Sequence, residues 1–308
     1  MRVGLDIGGT KTDAVAVDAA GRVVHSLRLP TGFGADAVLQ TAVAAVLGLA
    51  SATATPVSEF TSIGIGIPGA VDPGAGRVTH AVNLGLADLE LGARLHDRIG
   101  QPVRVENDVN AAALGAFHLE GIGPGRSMAY LNVGTGLAAG LVLAGRLWRG
   151  VRGVAGEIGH IPVDPAGPRC PCGQRGCLEL YASGSAVARQ WPSEDPLPVQ
   201  ALFAAAAAGD PAATTVRDRL LRGVAEAARL LVLTVDVDDV VIGGGISRIG
   251  DPLLAGVRRV IEGWEAGSAF VASLGLGERL RLLPVDFPAA AVGAAFVGEP
   301  ETSTREVV

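Results

Sequence analysis

The feature that most constrains this chain is a pattern written twice. Residues 2–6, 12–17 and 22–29 read as consecutive strands, joined by a Gly8-Gly9-Thr10 turn and an Asp18-Ala19-Ala20-Gly21 turn. From Met128 the same order returns: 129–133, the turn Gly134-Thr135-Gly136, 137–143, the turn Ala144-Gly145, then 146–148. Each copy continues into alternating helix and strand. Such a repeat predicts an α/β chain of two mixed domains facing one another. A length of 308 residues suffices for both. Between the copies, 62–67 reads as a buried strand, 89–99 as an amphipathic helix, and 103–106 as a short strand running through Asn107-Asp108 into a helix over 109–118. Later helices are expected at about 197–208, 212–234, 252–263 and 288–297, and the strand 239–242 ends in Gly243-Gly244-Gly245. Those glycines would let a ligand approach the backbone closely.

Composition removes several classes. Apolar residues make up 49% and aromatics 4%, so the core is built from Ala, Val, Leu and Ile. No membrane span is expected: the most apolar helical candidate, 35–50, is interrupted by Asp36, Gln40 and Thr41, and the alanine run 204–208 stops at Gly209-Asp210-Pro211. A net charge of -6 without a basic cluster argues against a nucleic-acid partner. Met1-Arg2 leads straight into the first strand with no signal peptide, so a cytoplasmic location is expected.

All three cysteines fall in one window with a histidine and two glutamates: Gly156-Glu157-Ile158-Gly159-His160, Cys170-Pro171-Cys172, and Gly176-Cys177-Leu178-Glu179. One imidazole and three thiolates complete a tetrahedral set for Zn2+ and leave no position for water, so the metal would be structural. The competing reading is one disulfide and a spare thiol, against which the odd count argues. Zinc has no use for Glu157 and Glu179. They read as ligand-binding groups held in place by the metal-bound loop.

The turns Gly8-Gly9-Thr10-Lys11 and Gly134-Thr135-Gly136 occupy equivalent places in the two repeats. Opposed across a cleft, they would offer N–H groups and hydroxyls to a polyphosphate, and Asp6 could hold a hydrated Mg2+ on it. The alternative is that hairpins need these glycines for positive φ. The one lysine, Lys11, stands against 24 arginines; it is either a compact ammonium at a phosphate or an accident of composition. Gly64-Ile65-Gly66-Ile67-Pro68-Gly69 fits a dinucleotide fingerprint, but Pro68 and a turn-rich 71–76 make a poor helix start, and it is set aside. Asp108 has two readings. It can cap the following helix, or it can accept a proton from a hydroxyl attacking a γ-phosphoryl group. Beside phosphate-type turns and two positioned glutamates, the base is the better reading.

In this order the motifs resemble the ROK family of sugar kinases, repressors and open-reading-frame proteins, within the actin, Hsp70 and hexokinase type of ATPase fold. The resemblance runs from Asp6-Ile7-Gly8-Gly9-Thr10-Lys11 through Gly69, Glu106-Asn107-Asp108, Val133-Gly134-Thr135-Gly136, Glu157-Ile158-Gly159-His160 and the cysteines to Gly243-Gly244-Gly245. It implies two duplicated ribonuclease H-like (actin-like ATPase) domains facing a central cleft. These would be a small α/β domain over 1–118 and a large one over 119–308 with the zinc loop, the last helix at about 288–298 being able to pack back on the first. It implies an ATP-dependent kinase acting on the 6-hydroxyl of a hexose, with Asp108 as catalytic base. Gly69, Asn83, Asn107, Glu157, His160 and Glu179 would bind the sugar. Asp6, Gly8, Gly9, Thr10, Lys11, Gly134, Thr135 and Gly136 would hold phosphates and Mg2+, and Gly244 and Gly245 would lie near the adenosine. Zinc would sit on His160, Cys170, Cys172 and Cys177, His160 facing the sugar with its other ring nitrogen. A homodimer is expected by analogy.

Departures bear on the acceptor. Where the family often shows Gly-Trp after Asn83, this chain has Leu84-Gly85-Leu86, and Ala70 and Val82 are small where an N-acetyl group could be contacted. Glucose is the expected acceptor. The alternatives are N-acetylglucosamine, N-acetylmannosamine, fructose, a hexose-like cyclitol, polyphosphate as donor, or a sugar-sensing protein without turnover. A repressor of the family would carry a helix-turn-helix domain ahead of the first strand, which begins here at residue 2, so DNA binding is not expected.

Overall fold

The computed structural model describes residues 1–123 and 125–298. The chain forms two compact units, Met1–Ile122 joined by the segment from Pro288, and Gly123–Phe287. In chain order the first unit holds β1 (Arg2–Ile7), β2 (Lys11–Val17), β3 (Val23–Pro30), α1 (Ala35–Ala52), β4 (Ser62–Ile67), β5 (Ala70–Asp72), β6 (Arg77–Ala81), β7 (Leu86–Leu89), α2 (Leu91–Ile99), β8 (Arg104–Asn107) and α3 (Asp108–Leu119). The second holds β9 (Met128–Val133), β10 (Leu137–Leu143), β11 (Arg146–Trp148), α4 (Gly184–Gln190), α5 (Pro198–Ala207), α6 (Pro211–Val235), β12 (Asp239–Gly243), α7 (Asp251–Gly267), α8 (Ala269–Ser273), α9 (Leu276–Arg279) and β13 (Leu280–Leu282). The last helix, α10 (Ala289–Val297), returns to the first unit.

Both units carry the same sheet. Its order is β3-β2-β1-β4-β8 in one and β11-β10-β9-β12-β13 in the other. Each is an antiparallel meander of three strands extended by two parallel ones. This matched topology is the duplication written in hydrogen bonds. In the parallel part, Asp6 pairs with Gly66, Gly66 with Glu106, and Ile67 with Asn107. The carboxyl ends of β1, β4 and β8 therefore share one edge of the sheet, where open α/β sheets bind ligands.

Alternation decides what covers each face. Val3, Leu5, Ile63 and Ile65 join Val38, Leu39, Ala42 and Val46 of α1 in a single core. The intervening Gly4 and Gly64 are register partners and leave a flat spot on the other face. A Cβ on either would sit 1.9 Å from a carbonyl oxygen of α10, that of Ala291 or Ala294. The fingerprint-like glycines are thus packing glycines: Gly64 admits α10 and Gly66 admits Ala111 of α3. In the second unit the core lies between the sheet and α5, α6 and α7.

Helix α1 is long and apolar enough to cross a membrane, by length and composition only. Its Val38, Leu39, Ala42, Ala45, Val46 and Leu49 are buried in the first unit, as in a core helix. Two local differences from the sequence reading have simple causes. The helix expected from 89 begins at Leu91 because β7 takes Leu86–Leu89 into a three-stranded sheet, β5-β6-β7. The stretch 71–76 contributes to a hairpin, Ala70 pairing with Thr79 and Asp72 with Arg77.

Candidate active site

The first unit gathers Asp6, the Gly8–Lys11 turn, Gly69, Asn83, Asn107 and Asp108. Asn107 ends β8 and caps α3, its Oδ1 accepting from the N–H groups of Val109 (2.9 Å) and Asn110 (3.2 Å). Its Nδ2 donates to the Gly69 carbonyl at 3.3 Å. The cap is therefore Asn107, and the capping role considered for Asp108 is corrected: Asp108 is the first residue of α3, its Oδ1 accepting from the N–H of Val109 at 3.0 Å. Beneath them Glu106 is buried and accepts from the Asn107 N–H and Asn110 Nδ2, both at 3.0 Å. Gly69 needs its glycine. Its φ is 107°, and a Cβ would lie 2.8 Å from the Thr79 carbonyl oxygen.

Asp6 feels this crowding of carboxylates. Burial first, then the Asp108 and Asp13 carboxylates, push its pKa up to about 7, with Lys11 pulling it down. Lys11 Nζ lies 3.7 Å from Asp13 Oδ2 and Arg28 also pairs with Asp13. Asp13 was missed in the sequence. Period-two alternation, which places it on the Lys11 side of β2, was the available signal. Gly8 N–H closes the turn on the Lys11 carbonyl at 2.9 Å. Neither Gly8 nor Gly9 has a positive φ, so the hairpin explanation for them fails. Gly9 is small for another reason: a Cβ would stand 3.3 Å from Asn83. Asn83 itself lies on an exposed 3-10 turn, Val82–Leu84, between β6 and β7.

The second unit brings together Gly134–Gly136, Glu157, His160, Glu179, the cysteines and Gly244–Gly245. Gly134 and Gly136 likewise lack a positive φ. A Cβ on Gly136 would lie 2.5 Å from Glu179 Oε2, which accepts from the Leu137 N–H at 3.0 Å. The phosphate-type turn and the glutamate are thus one assembly, anchored from behind by Gly184 N–H on the Gly134 carbonyl and Ser185 N–H on that of Thr135. Gly156 and Gly159 let the Glu157–His160 segment lie on β10, where Cβ atoms would stand 1.8 Å and 2.1 Å from the Ala139 and Leu137 carbonyl oxygens. Gly243 and Gly244 are forced by Tyr130 and by Asn132 and Val133, whereas Gly245 borders open space.

His160, Cys170, Cys172 and Cys177 converge, their ligand atoms all within 4.8 Å of one another. Cys172 and Cys177 sulfurs are 3.6 Å apart. A Zn–S distance of about 2.3 Å in a tetrahedron separates sulfurs by about 3.8 Å, so donor set and spacing both fit zinc. The thiols differ. The Gln174 backbone N–H and its neighbours pull Cys172 down to about 6, while burial pushes Cys177 up to about 12. Gln174, which the sequence reading passed over, also donates to the His160 carbonyl at 3.1 Å and to Cys172 Sγ at 3.6 Å. Its place between two ligand cysteines was the signal.

The ROK family model matches residues 2–275. A glucokinase from Halalkalibacterium halodurans is 32% identical over 99% of this chain and 96% of its own length. An N-acetylmannosamine kinase from Haemophilus influenzae is 32% identical over 79% of each. The crystal structure of a ROK family glucokinase from Streptomyces griseus, in complex with glucose and AMPPNP, has 31% identity and a TM-score of 0.75, covering 96% of this chain and 98% of that one. The doubled sheet is that of the actin-like ATPase fold, and the protein belongs to the ROK family.

Proposed function

We propose that this chain is an ATP-dependent hexose kinase that phosphorylates the 6-hydroxyl of glucose. The observation carrying the reading is the placement of Asp108: its helix is already capped by Asn107, and it shares a sheet edge with Asp6 and its glycine turn. Asp108 accepts the proton of the acceptor hydroxyl as that oxygen bonds to the γ-phosphorus. The bond from phosphorus to the bridging oxygen breaks, and ADP leaves with the electron pair. Gly69, Asn83, Asn107, Glu157, His160 and Glu179 hydrogen-bond the remaining hydroxyls. Gly8, Gly9, Thr10, Lys11, Gly134, Thr135 and Gly136 hold the phosphates, and Gly244 and Gly245 border the adenosine. Asp6 would hold a hydrated Mg2+, which supplies charge to offset the phosphates. Zinc on His160, Cys170, Cys172 and Cys177 would fix the loop carrying Glu157 and Glu179. A cytoplasmic homodimer belongs to the same reading.

A second reading is supported by the equal identity to an N-acetylmannosamine kinase. Against it, Ala70 and Val82 beside the site are small and exposed, offering an N-acetyl group little to bind. The test is ADP release with ATP and Mg2+ across glucose, mannose, fructose, N-acetylglucosamine, N-acetylmannosamine and a cyclitol. Glucose is expected to give the highest kcat/KM. Asp108→Asn is expected to lose about 10²–10⁴ in kcat while still binding sugar. Turnover on an N-acetyl sugar alone selects the second reading; silence across the panel from folded, zinc-loaded protein rejects both in favour of a sensor.

A further inference from the structure

Phe33 is 74% exposed. Single exposed apolar residues ordinarily call for no explanation. What sets Phe33 apart is how firmly its loop is held. On one side, Thr31 is fully buried, its hydroxyl 2.9 Å from that of Thr12 and its carbonyl accepting from Thr41 Oγ1 at 3.0 Å. On the other, the Gly34 N–H donates to the Leu84 carbonyl at 2.8 Å. Gly32 and Gly34 have φ of 77° and 91°, which turn the chain sharply on both sides of the ring. The phenyl lies against Gly85, where a Cβ would meet it at 2.5 Å. Gly85 in turn ends the 3-10 turn that carries Asn83 beside Gly9. That turn presents no aromatic of its own, since Leu84 and Leu86 are buried.

A firmly held, water-exposed phenyl against the turn that carries Asn83 has an obvious chemical use if that asparagine binds a sugar. A pyranose offers hydroxyls at its rim and C–H groups on its faces, and an aromatic ring removes those C–H groups from water while leaving the rim to polar partners. Because the loop is stapled before binding, little ordering entropy is lost on contact. Resting on the kinase reading above, we propose that Phe33 is a substrate-contacting residue that stacks on the C–H face of a pyranose acceptor whose hydroxyls Asn83 binds.

The variants are Phe33→Ala and Phe33→Trp, both at a surface position. Phe33→Ala is expected to raise the glucose KM about tenfold, with kcat and the ATP KM within about twofold of wild type. Phe33→Trp should keep a near-native glucose KM, and its added indole should change emission when glucose is titrated without ATP, beyond any change in the wild type. An unaltered glucose KM in Phe33→Ala, or indole emission indifferent to glucose, overturns the stacking role while the wild-type activity leaves the kinase reading intact. Failure of the wild type itself to phosphorylate or bind any pyranose overturns the kinase reading, and this inference with it.

Discussion

Burial beside Asp108 and Asp13 raises Asp6 to about 7, so between roughly pH 4 and 7 the folded, ligand-free protein holds a proton that the unfolded chain has released. The sign follows. This site favours the folded state fully below the unfolded pKa and loses that contribution as pH rises to about 7, by at most about 4 kcal/mol for a shift of that size. Denaturant unfolding in metal-free buffer should show wild-type stability falling relative to Asp6→Asn across that window. An Asp6→Asn profile parallel to the wild type would show that Asp6 does not titrate there. Other residues were half legible. The sequence offered two explanations for Gly9 and Gly136, phosphate-binding turns or the positive φ of hairpins; their φ values remove the second, and their distances to Asn83 and Glu179 add close packing, which no local signal announced. Asp108 was open to two readings, helix cap or base, and the helix start, fixed by where β8 stops pairing with β4, gives the cap to Asn107.

At the level of elements, the meanders and the long helices followed from periodicity and turn residues, because those signals are local. The loop from Ile158 to Tyr181 is different: it has two short 3-10 turns, two isolated bridges and many exposed residues around a small buried cluster of Cys170, Cys177 and Leu180. Gly176 is forced there, since a Cβ would stand 1.7 Å from the Asp164 carbonyl oxygen. We expect one zinc per chain by metal analysis. Stripping it with a chelator should lower Tm on the order of 10 °C and raise the sugar KM, because Glu157, His160 and Glu179 lose their anchor. Protein that is zinc-free as purified, with unchanged Tm and KM in chelator, would leave the four ligands without that role.

For the whole molecule, the chain leaves the first unit after Ile122 and comes back at Pro288. The returning helix is made for close contact. Cβ atoms on Gly115 of α3 and Gly293 of α10 would lie 2.0 Å and 1.7 Å from the carbonyl oxygens of Ala289 and Ala111, so the two backbones nearly touch. Phe296 adds a ring stacked 3.7 Å from that of His118. A chain ending at Phe287 should therefore keep the second unit, with native emission from Trp148, Trp191 and Trp264, all located there, while losing the first unit's share of far-UV ellipticity. Full ellipticity and full glucose turnover in that truncated chain would show α10 to be dispensable. The sequence by itself determined the duplication, the strand–turn–strand order, the helices and the zinc-type ligand set, since each is encoded over a few neighbouring residues with a fixed period or spacing. Tertiary structure alone decided that Gly4 and Gly64 form a seat for a helix more than 200 residues away in the chain, that Asn107 rather than Asp108 caps α3, and that Phe33 lies over Gly85. Those facts depend on which segments meet in space, and no local pattern in a chain specifies the atoms of a distant partner.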